Sequence, residues 1–565
     1  MLLPTTTTTA TGTTTTTTTT TNNNNNNNID NTNTSANTST HPDRPKPAEP
    51  GMWLTCSSLG KCGRKDLRPW ETAPTTLATQ VEKDFSSLPG IPDDVYEPVR
   101  KYWESSPPAF RGAPVLLEDL ASFTTDLLRS DPFQTGDDVP VLDFNSAREG
   151  GAVAISQRQL AFLVANAVMG NRIDKEDGLT LMLARCSDSG FSEWIYSLLS
   201  LLAVLSRELR SGEHGRLLVA ATPRTLLEGD DWRGKLQNST LGEPALCVRE
   251  GNATGCDLAD FMAGNPGQAL TDIAGGVVGG GAALCSTADS QDESLVQFYP
   301  EVLAFSFFVD PNASADKMGM LPVPWTLLGA RRYMGDITGQ RVDAASAISH
   351  GNCGRIREKD WLNEDIVQET EEVVVAGKTA ELYSSAFVAV QSVCSSCRSG
   401  QDCNWHDNLN NFCDSQRRHL DEDLSKWYQA FEQYAYPEEV QQAFSKVVKR
   451  IGTGPWGAGV WGGDSQQYFL AVWLATSLLS SGTLDYYMYS NFCENPGNQC
   501  FVLGGDECKQ CVADSGVSDL DAERCGSQSV YAIVDMFKNQ PAQDLYDALS
   551  GVGGPPDQVF DAVGR

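Results

Sequence analysis

The chain has 565 residues, with 42 basic and 73 acidic side chains and a formal net charge of −31. This length suffices for two or three domains with substantial buried cores. The acidic balance excludes a broad nucleic-acid-binding surface, which needs a basic footprint, so direct DNA binding is not expected; a local basic pocket for a polyanion stays compatible with it.

Residues 1–55 are predicted to be disordered. Threonine and asparagine tracts and a proline-containing tail make up most of this segment, and they have too little apolar surface to offset chain entropy. The segment shows neither the charged nor the apolar region of a secretory signal. The most apolar run of the chain, Trp194 to Leu205, is about twelve residues long and too short to span a bilayer, so no membrane association is expected.

Residues 75–212 are predicted to form a helical accessory domain. Its clearest helix runs from Ser156 to Met169, where Ser156 and Gln159 match a capping box and an apolar stripe follows. Apolar residues at three- and four-residue spacing predict further helices near 93–104, 115–129 and 192–211. Core packing explains this pattern, and it carries no motif that suggests chemistry.

Residues 213–550 show a different pattern, in which short apolar runs alternate with helical segments. The runs predicted as buried strands are Arg216–Thr222, Val302–Val309, Met320–Leu328, Ala386–Gln391 and Leu484–Tyr489. The predicted helices are Pro437–Lys449, Ser465–Ser480 and the stretch near 527–550. Alternation of this kind favours a fold of the α/β (α+β) class, with a mixed β-sheet flanked by helices.

The 16 cysteines leave the redox compartment open. Closely spaced pairs suit loop disulfides in an oxidising compartment: Cys56 with Cys62, Cys247 with Cys256, Cys493 with Cys500, and Cys508 with Cys511. Sequons at Asn238, Asn252 and Asn312 favour secretion as well. Since no export signal is visible, we expect a nuclear or cytoplasmic protein, with secretion as the alternative.

Residues 394–425 interrupt the alternating pattern and are predicted to form an inserted loop. This Cys-rich insert contains Cys394, Cys397, Cys403, His406 and Cys413. The spacing fits no standard zinc finger, and disulfides or free thiols explain it better than zinc does. We therefore predict no metal among the functional site residues, with a structural zinc in this insert as the alternative.

The first candidate site lies between Asp272 and Glu301. A glycine-rich loop holds Gly275, Gly276 and the triplet Gly279, Gly280 and Gly281, and it is followed by Gln291, Asp292 and Glu293. Glycine at this density lets amide groups turn toward a phosphate or a sugar. Two adjacent carboxylates beyond the loop suit acid–base chemistry, although a surface turn followed by solvated acids has the same spacing.

The second candidate site is the loop from Thr453 to Asp464, which reads TGPWGAGVWGGD. Glycines directly before a helix make an anion cradle, because the amide groups and the helix dipole both face the ligand. Asp464 and Gln467 are predicted as the N-cap and N3 residues of that helix. Two tryptophans within the loop favour packing over a mobile surface loop.

These two segments resemble the signature of the poly(ADP-ribose) glycohydrolase family, which has a glycine triplet, a short spacer and Gln-Glu-Glu. Asp272 and Ala274 stand where the family has Asp and Ala, and Pro300-Glu301 where it has Pro-Glu. The loop 453–464 is similar to the family's diphosphate-binding loop. Residues 156–167 are similar to an element of the family's helical accessory domain.

The resemblance implies a macrodomain-like catalytic domain at 213–550, preceded by an all-helical accessory domain. The implied reaction is that of a glycosidase: hydrolysis of the ribose–ribose O-glycosidic bond of poly(ADP-ribose), without cofactor or metal, by a monomer. Implied partners are poly(ADP-ribose), ADP-ribose and ADP-ribosylated proteins. Glu293 stands in the place of the catalytic acid and base, with Asp292 and Asp272 beside it.

The substrate-binding residues that the resemblance implies comprise both glycine-rich loops, a glutamine beside the acidic pair and three side chains near the adenosine end. They are Gln291, Gly275, Gly279, Gly280, Gly281, Pro455, Trp456, Gly457, Ala458, Gly459, Val460, Trp461, Tyr333, Gln340 and Tyr489. For the tyrosines, stacking on an aromatic face is the expected contribution, and a core or rim position is the structural alternative.

Three departures from the family pattern leave the function open. Asp292 replaces the first glutamate of the acidic pair. The spacer AALCSTADS has nine residues, whereas the family has about seven. Gly275 and Pro455 stand where the family has asparagine. Misplacing a catalytic carboxylate by about 1 Å costs on the order of a hundredfold in rate. A catalytically weak or dead ADP-ribose-binding macrodomain-like protein is therefore the alternative, and a structural α/β protein a third.

Overall fold

A computed structural model gives the fold. It describes residues 67–69, 72–83, 88–105, 107, 109–110, 113–130, 138–140, 150–171, 192–211, 216–224, 231–248, 267–272, 299–302, 324–331, 369–375, 378–392, 416–458, 463–488, 500–515, 521–552 and 558–565. All of these belong to one compact unit, Glu49–Arg565.

Five helices lie in the first part of the chain: α1 (Pro74–Lys83), α2 (Asp93–Ser105), α3 (Leu117–Arg129), α4 (Gln157–Val168) and α5 (Ser192–Ser211). The predicted helices near 93–104, 115–129 and 192–211 are confirmed. The predicted capping box is confirmed as well, because Gln159 N donates to Ser156 Oγ over 3.3 Å and Ser156 N to Gln159 Oε1 over 2.9 Å. Local capping chemistry thus determines where α4 begins.

The region 75–212 is not all-helical, which corrects the prediction. It includes the short strands β2 (Ala109–Phe110), β3 (Ala113–Pro114) and β4 (Asp138–Pro140), the last paired with β1 (Leu67–Pro69). Strand β5 (Gly151–Ser156) is longer and pairs antiparallel with β6 (Leu217–Thr222), inside the main sheet. Its sequence GAVAIS is small and apolar, so it can be buried on both faces.

The main sheet has eight strands in the order β5-β6-β9-β12-β8-β13-β14-β7. Its remaining strands are β7 (Ala245–Val248), β8 (Gln268–Asp272), β9 (Trp325–Leu328), β12 (Ala386–Ala389), β13 (Arg450–Thr453) and β14 (Thr483–Met488). Strands β10 (Thr370–Val375) and β11 (Lys378–Tyr383) form a separate antiparallel pair. The five strands from β12 to β7 are mutually parallel, and the other three ladders are antiparallel.

Eight more helices complete the described part of the fold: α6 (Asp231–Leu236), α7 (Gln416–Phe431), α8 (Glu438–Val447), α9 (Ser465–Ser477), α10 (Gly505–Ser515), α11 (Val530–Phe537), α12 (Ala542–Gly551) and α13 (Val559–Val563). Short 3-10 helices cover Gln433–Ala435 and Ala522–Cys525. The predicted class, α/β with a mixed sheet flanked by helices, is confirmed.

Two hydrophobic cores lie on opposite faces of the sheet. Neighbouring residues of β8 show this directly, because Leu270 packs in one core and Ala269 in the other, as the alternation of side chains along a strand requires. Helices α1–α5 supply most of the first core, and α7–α9 with α11–α13 supply most of the second. Within the described ranges, no helix is long and apolar enough to cross a membrane.

The strand and insert predictions have mixed outcomes. Strand β6 lies within predicted Arg216–Thr222, β12 within Ala386–Gln391, and β14 overlaps Leu484–Tyr489. Strand β9 confirms the end of predicted Met320–Leu328, whereas the predicted strand at 302–309 lies, after its first residue, outside the described residues. The predicted inserted loop is wrong at its end, since helix α7 begins at Gln416; Leu420, Leu424 and Trp427 are buried there at helical spacing.

Two disulfides join cysteines near the C-terminus, with partners that differ from the predicted ones. Cys500 pairs with Cys511 and Cys508 with Cys525, at Cα–Cα distances of 5.4 and 5.6 Å. The predicted pairs Cys493–Cys500 and Cys508–Cys511 are therefore wrong. Cys508 and Cys511 share helix α10, and the fully buried Cys508 side chain meets Cys525 instead.

Candidate functional site

Strands β8 and β13 bring the starts of the two motif segments to one edge of the sheet, at the carboxyl ends of the parallel strands. Asp272 is the last residue of β8, and its neighbour β13 ends at Thr453, where the second glycine-rich loop begins. The ladder pairs Gly452 with Leu270, so Asp272 and Gly454 are each two residues past that pair. In open α/β sheets, ligands bind outside the carboxyl ends of parallel strands, which is where both residues lie.

Hydrogen bonds tie three strand ends together at this edge. Val390, which follows β12, donates its N–H to the carbonyl of Asp272 over 3.3 Å. Trp456 donates its indole Nε1–H to the carbonyl of Val390 over 2.7 Å. The start of the loop is therefore fixed to the ends of β8 and β12 and is not a mobile surface segment.

Trp456 anchors the loop in the core. Its side chain is 1% exposed and packs edge-on against Trp427 and Tyr468, with ring centroids 5.2 and 5.5 Å apart. This confirms the prediction of packing for Trp456. As a predicted substrate-binding residue, Trp456 has no exposed ring face to offer, so its backbone is what remains for ligand contact.

Gly457 folds the loop over the first turn of α9. Its φ is +75°, and a Cβ atom at this position would lie 2.5 Å from the ring of Tyr468. Both the left-handed backbone and the close ring contact require glycine. The loop closes on itself where Gly463 N donates to the Gly457 carbonyl over 3.2 Å.

Several amide groups of the loop are already engaged within it. Trp456 N donates to the Gly454 carbonyl over 2.7 Å, and Ala458 N to the Pro455 carbonyl over 3.0 Å, besides the bond from Gly463. These three N–H groups are not directed at a ligand. A diphosphate would be bound through other donors of the loop, among which Gly459, Val460 and Trp461 lie outside the described residues.

The start of helix α9 carries a set of buried polar groups. Asp464 is its N-cap and accepts from Gln466 N and Gln467 N over 3.0 and 3.1 Å, as predicted. The side chains of Ser465 and Gln467 are fully buried, yet within the part of the chain that the structure describes, Ser465 Oγ and both amide atoms of Gln467 have no hydrogen-bond partner. Because Ser465 is the first helical residue and Cβ tilts toward the N-terminus, its hydroxyl lies at the helix end.

These groups suit a polar ligand at the loop. A buried hydroxyl or amide without a partner costs about 1–3 kcal/mol, and such groups in folded proteins normally have one. Ser465 and Gln467 together offer donors and acceptors at a helix N-terminus, where anions are stabilised. Phosphate or sugar oxygens would complete their hydrogen bonds.

The segment that follows the acidic motif lies at the opposite end of the strands, where β9 ends and β12 begins. Glu301 is 2% exposed and accepts from Arg331 N over 2.6 Å, while the Arg331 side chain bonds to the buried Glu208 of α5. Tyr299 packs edge-on against Phe387 with centroids 4.4 Å apart. The Pro300-Glu301 flank is thus held against the sheet by buried polar and aromatic contacts.

Tyr383 belongs to the same polar cluster. The Arg216 guanidinium lies over its ring at 4.5 Å from the centroid and also bonds to its hydroxyl. Burial raises the pKa of Tyr383 to about 12, while the neighbouring Arg331 charge acts in the opposite direction. The cluster links α5 to the sheet far from Asp272, so we assign it a structural role.

The structure brings together Asp272, Pro455, Trp456, Gly457 and Ala458 among the predicted site residues. The others lie outside the described residues: Gly275, Gly279, Gly280, Gly281, Gln291, Asp292, Glu293, Tyr333, Gln340, Gly459, Val460, Trp461 and Tyr489. Their predicted roles stay predictions. Among the described residues, no group of three His, Cys, Asp or Glu side chains is placed to hold a metal ion.

Sequence reasoning missed two contributors at this edge. Nothing in the sequence around Val390 marks its carbonyl as the acceptor for Trp456, since that contact depends on strand order. Tyr468 could have been noticed, because it follows the Gly-Gly-Asp triplet by one turn of helix. Its ring occupies the space that the glycines of the loop leave free.

Comparisons with protein-family models and with curated proteins found no match to this chain. The motifs and the geometry at the carboxyl ends of β8 and β13 therefore supply the basis for a functional proposal.

Proposed function

We propose that this protein is a poly(ADP-ribose) glycohydrolase with a macrodomain-like catalytic domain, which hydrolyses ribose–ribose O-glycosidic bonds and releases ADP-ribose. One observation carries the proposal: the two motif segments, far apart in sequence, begin at neighbouring carboxyl ends of the parallel strands β8 and β13. A random pair of glycine-rich segments would have no reason to share this edge, where α/β sheets bind their ligands.

The buried polar groups at the start of α9 support a phosphate-bearing ligand. Ser465 Oγ and the Gln467 amide lie fully buried behind the loop and lack partners among the described residues. In the proposed complex the diphosphate lies at this helix N-terminus, and the loop's remaining amides and these side chains bind it. The ribose then extends toward Asp272 and the acidic segment.

Glu293 carries the chemistry in this proposal. As an acid it protonates the leaving 2′ oxygen while the glycosidic C–O bond breaks, and as a carboxylate it then accepts a proton from the attacking water. Water adds to the oxocarbenium-like carbon, so the net reaction is hydrolysis without a cofactor. Asp292 and Gln291 orient the ribose hydroxyls, and Asp272 fixes the loop and the substrate edge.

The second candidate is an ADP-ribose-binding protein that does not cleave. The engaged amides of Trp456, Ala458 and Gly463 favour it, since they leave fewer donors for a strained substrate than the predicted loop would offer. Asp292 adds to this, because its side chain is one methylene shorter than the glutamate of the family pattern. Both candidates require the same binding edge and differ only in turnover.

Labelled poly(ADP-ribose) incubated with purified protein tests the proposal. We expect ADP-ribose release by the wild type, and a loss on the order of 10³-fold in Glu293→Gln, because a positioned acid–base group contributes about 10²–10⁴-fold. Asp289→Asn is the matched control: it removes a carboxylate from the same segment and should keep full activity. Calorimetry with ADP-ribose measures binding for each variant.

Three outcomes separate the candidates. Release by the wild type and Asp289→Asn but not by Glu293→Gln, with ADP-ribose bound by all three, supports the glycohydrolase. ADP-ribose binding without release by any of them replaces it with the binding protein. If calorimetry shows no heat and ADP-ribose leaves the melting temperature of the wild type unchanged, both candidates are wrong.

A further inference from the structure

The disulfide segment, residues 500–515 and 521–525, forms its own small core. The Cys500–Cys511 and Cys508–Cys525 bonds cross-link it, and its buried side chains include Phe501 and Val512. The Arg524 guanidinium covers the Phe501 ring at 4.4 Å from the centroid. A segment of this size has too small an apolar core to be rigid by itself, so the cross-links supply much of its order.

Gln466 connects this segment to the start of α9. Its side chain is fully buried; Nε2 donates to the Phe501 carbonyl over 2.9 Å, and Oε1 accepts from Phe560 N over 2.9 Å. The partners determine the amide orientation, because a carbonyl only accepts and a backbone N–H only donates. Through its own N–H, Gln466 also bonds to the capping carboxylate of Asp464.

We propose that Gln466 is a positioning residue for ligand binding, and that the two disulfides fix the position of the Phe501 carbonyl to which its side chain donates. Phe501 follows Cys500 directly, so the carbonyl that Gln466 contacts is fixed by the first disulfide. The capping carboxylate and the buried Ser465 and Gln467 side chains lie within one turn of Gln466. Movement of Phe501 therefore displaces the helix end that faces the proposed diphosphate.

Reduction of the disulfides tests this coupling without changing the sequence. Because Cys247 is disulfide-bonded as well, Cys500→Ser/Cys511→Ser is the variant that assigns an effect to this segment. A dithiol such as dithiothreitol transfers two electrons and two protons per disulfide: each S–S bond breaks, two cysteine thiols form, and the reductant closes to its own disulfide. Cys511 is the most accessible of the four cysteines, since the other three are fully buried. Reduction is expected to start at the Cys500–Cys511 bond.

Hydrogen–deuterium exchange of the full-length protein reads the coupling directly and needs no ligand. We expect amide exchange in residues 454–458 and 463–468 to rise on the order of tenfold in Gln466→Met and in the reduced wild type. Asp561→Asn is the control: the half-buried Asp561 accepts from Ser527 N and Gln528 N and so ties the same C-terminal helix to that turn, without contacting Gln466. It should leave that exchange unchanged.

ADP-ribose affinity is the second measurement, and it rests on the proposed function. We expect Kd for ADP-ribose to rise on the order of tenfold in Gln466→Met and in the reduced wild type, and to stay unchanged in Asp561→Asn. If the wild type binds no ADP-ribose, the proposed function fails and the exchange measurement alone decides the role of Gln466. If Gln466→Met does not fold, Cys500→Ser/Cys511→Ser and the reduced wild type decide it.

Unchanged exchange in a folded Gln466→Met overturns the proposal, and so does an equal rise in Asp561→Asn. The same holds if exchange rises while ADP-ribose affinity stays at the wild-type value, because the residue would then stabilise the helix without positioning the site.

Discussion

The ring of Tyr468 fills the space where Gly457 lacks a side chain: a Cβ on Gly457 would lie 2.5 Å from it. This contact sets the path of the loop between β13 and α9, since the backbone can pass so close to an aromatic ring only at glycine. It also explains why the loop lies over its own helix and does not extend into solvent.

Gly457→Ala should therefore destabilise the protein and weaken ligand binding. A φ of +75° and a Cβ contact at 2.5 Å both oppose alanine, so we expect a loss of about 2–3 kcal/mol in unfolding free energy. Gly234→Ala is the control, because it lies within helix α6 with nothing within 4 Å; it should stabilise by about 0.5–1 kcal/mol. Urea unfolding measures both variants. Equal changes in unfolding free energy would show that the path of the loop does not require glycine at position 457.

Trp456→Phe should separate loop anchoring from general stability. It leaves the buried Val390 carbonyl without its indole donor, at a cost of about 1–3 kcal/mol. Trp473→Phe removes a second indole bond, from within α9 to the carbonyl of exposed Gly242 over 2.6 Å. We expect both to lower the melting temperature and only Trp456→Phe to weaken ADP-ribose binding. Equal affinity losses would show that the Val390 bond does not position the loop.

The raised pKa of Tyr383 predicts a loss of stability at high pH. Its pKa is raised from 10 to about 12 in the folded protein because burial disfavours the phenolate. The unfolded chain therefore loses this proton first, and the stabilisation present below pH 10 declines as pH rises toward 12. Burial raises the pKa of Tyr428, Tyr436 and Tyr486 as well, which steepens the decline.

The measurement is unfolding free energy from about pH 9 to 12 for the wild type and Tyr383→Phe. The variant's slope should be shallower by at most about 1.4 kcal/mol per pH unit, one proton's share, between about pH 10 and 12. Parallel curves would mean that Tyr383 titrates normally in the folded state.

The ion pair of Arg450 and Asp485 predicts a large effect at the other end of β13. Arg450 donates two hydrogen bonds, over 2.8 and 2.6 Å, to the buried Asp485 carboxylate, which also accepts from Gln268 over 2.6 Å. Asp485→Asn should cost about 1.5–3 kcal/mol of unfolding free energy, because the half-buried Arg450 guanidinium loses the carboxylate that accepts its two hydrogen bonds.

Glu97→Gln is the control for that prediction. Its partner Arg100 is on the same face of α2, and the Glu97 carboxylate, unlike that of Asp485, is exposed, so the expected change is below about 1 kcal/mol. Chemical denaturation compares the two. A change of similar size in both variants would show that the Arg450–Asp485 pair contributes no more to the unfolding free energy than a pair at the surface.

Local signals in the sequence were the most reliable guide to the fold. The capping box at Ser156 and the N-cap at Asp464 are confirmed, because a short polar side chain and its own helix N–H groups are enough to form them. The long helix α5 and the apolar strand β6 are confirmed as well, because the pattern of apolar residues that predicts each of them lies within the segment itself.

Contacts between distant segments could not be predicted in the same way. Strands β8 and β13 have five and four residues, too few to show a period, and their pairing depends on the whole sheet. The bond from Trp456 to Val390 follows from that pairing. Helix α7 is different: Leu420, Leu424 and Trp427 show helical spacing in the sequence, and the preceding cysteines obscured it.

The position of β5 at the end of the main sheet has a practical consequence for dissecting the protein. A shortened chain that starts at residue 213 lacks Gly151–Ser156, so the backbone groups of β6 that pair with it become an open strand edge. Such an edge is a template for intermolecular strand pairing. The C-terminal half produced alone would therefore tend to aggregate, and a truncation that begins before residue 150 keeps that edge covered.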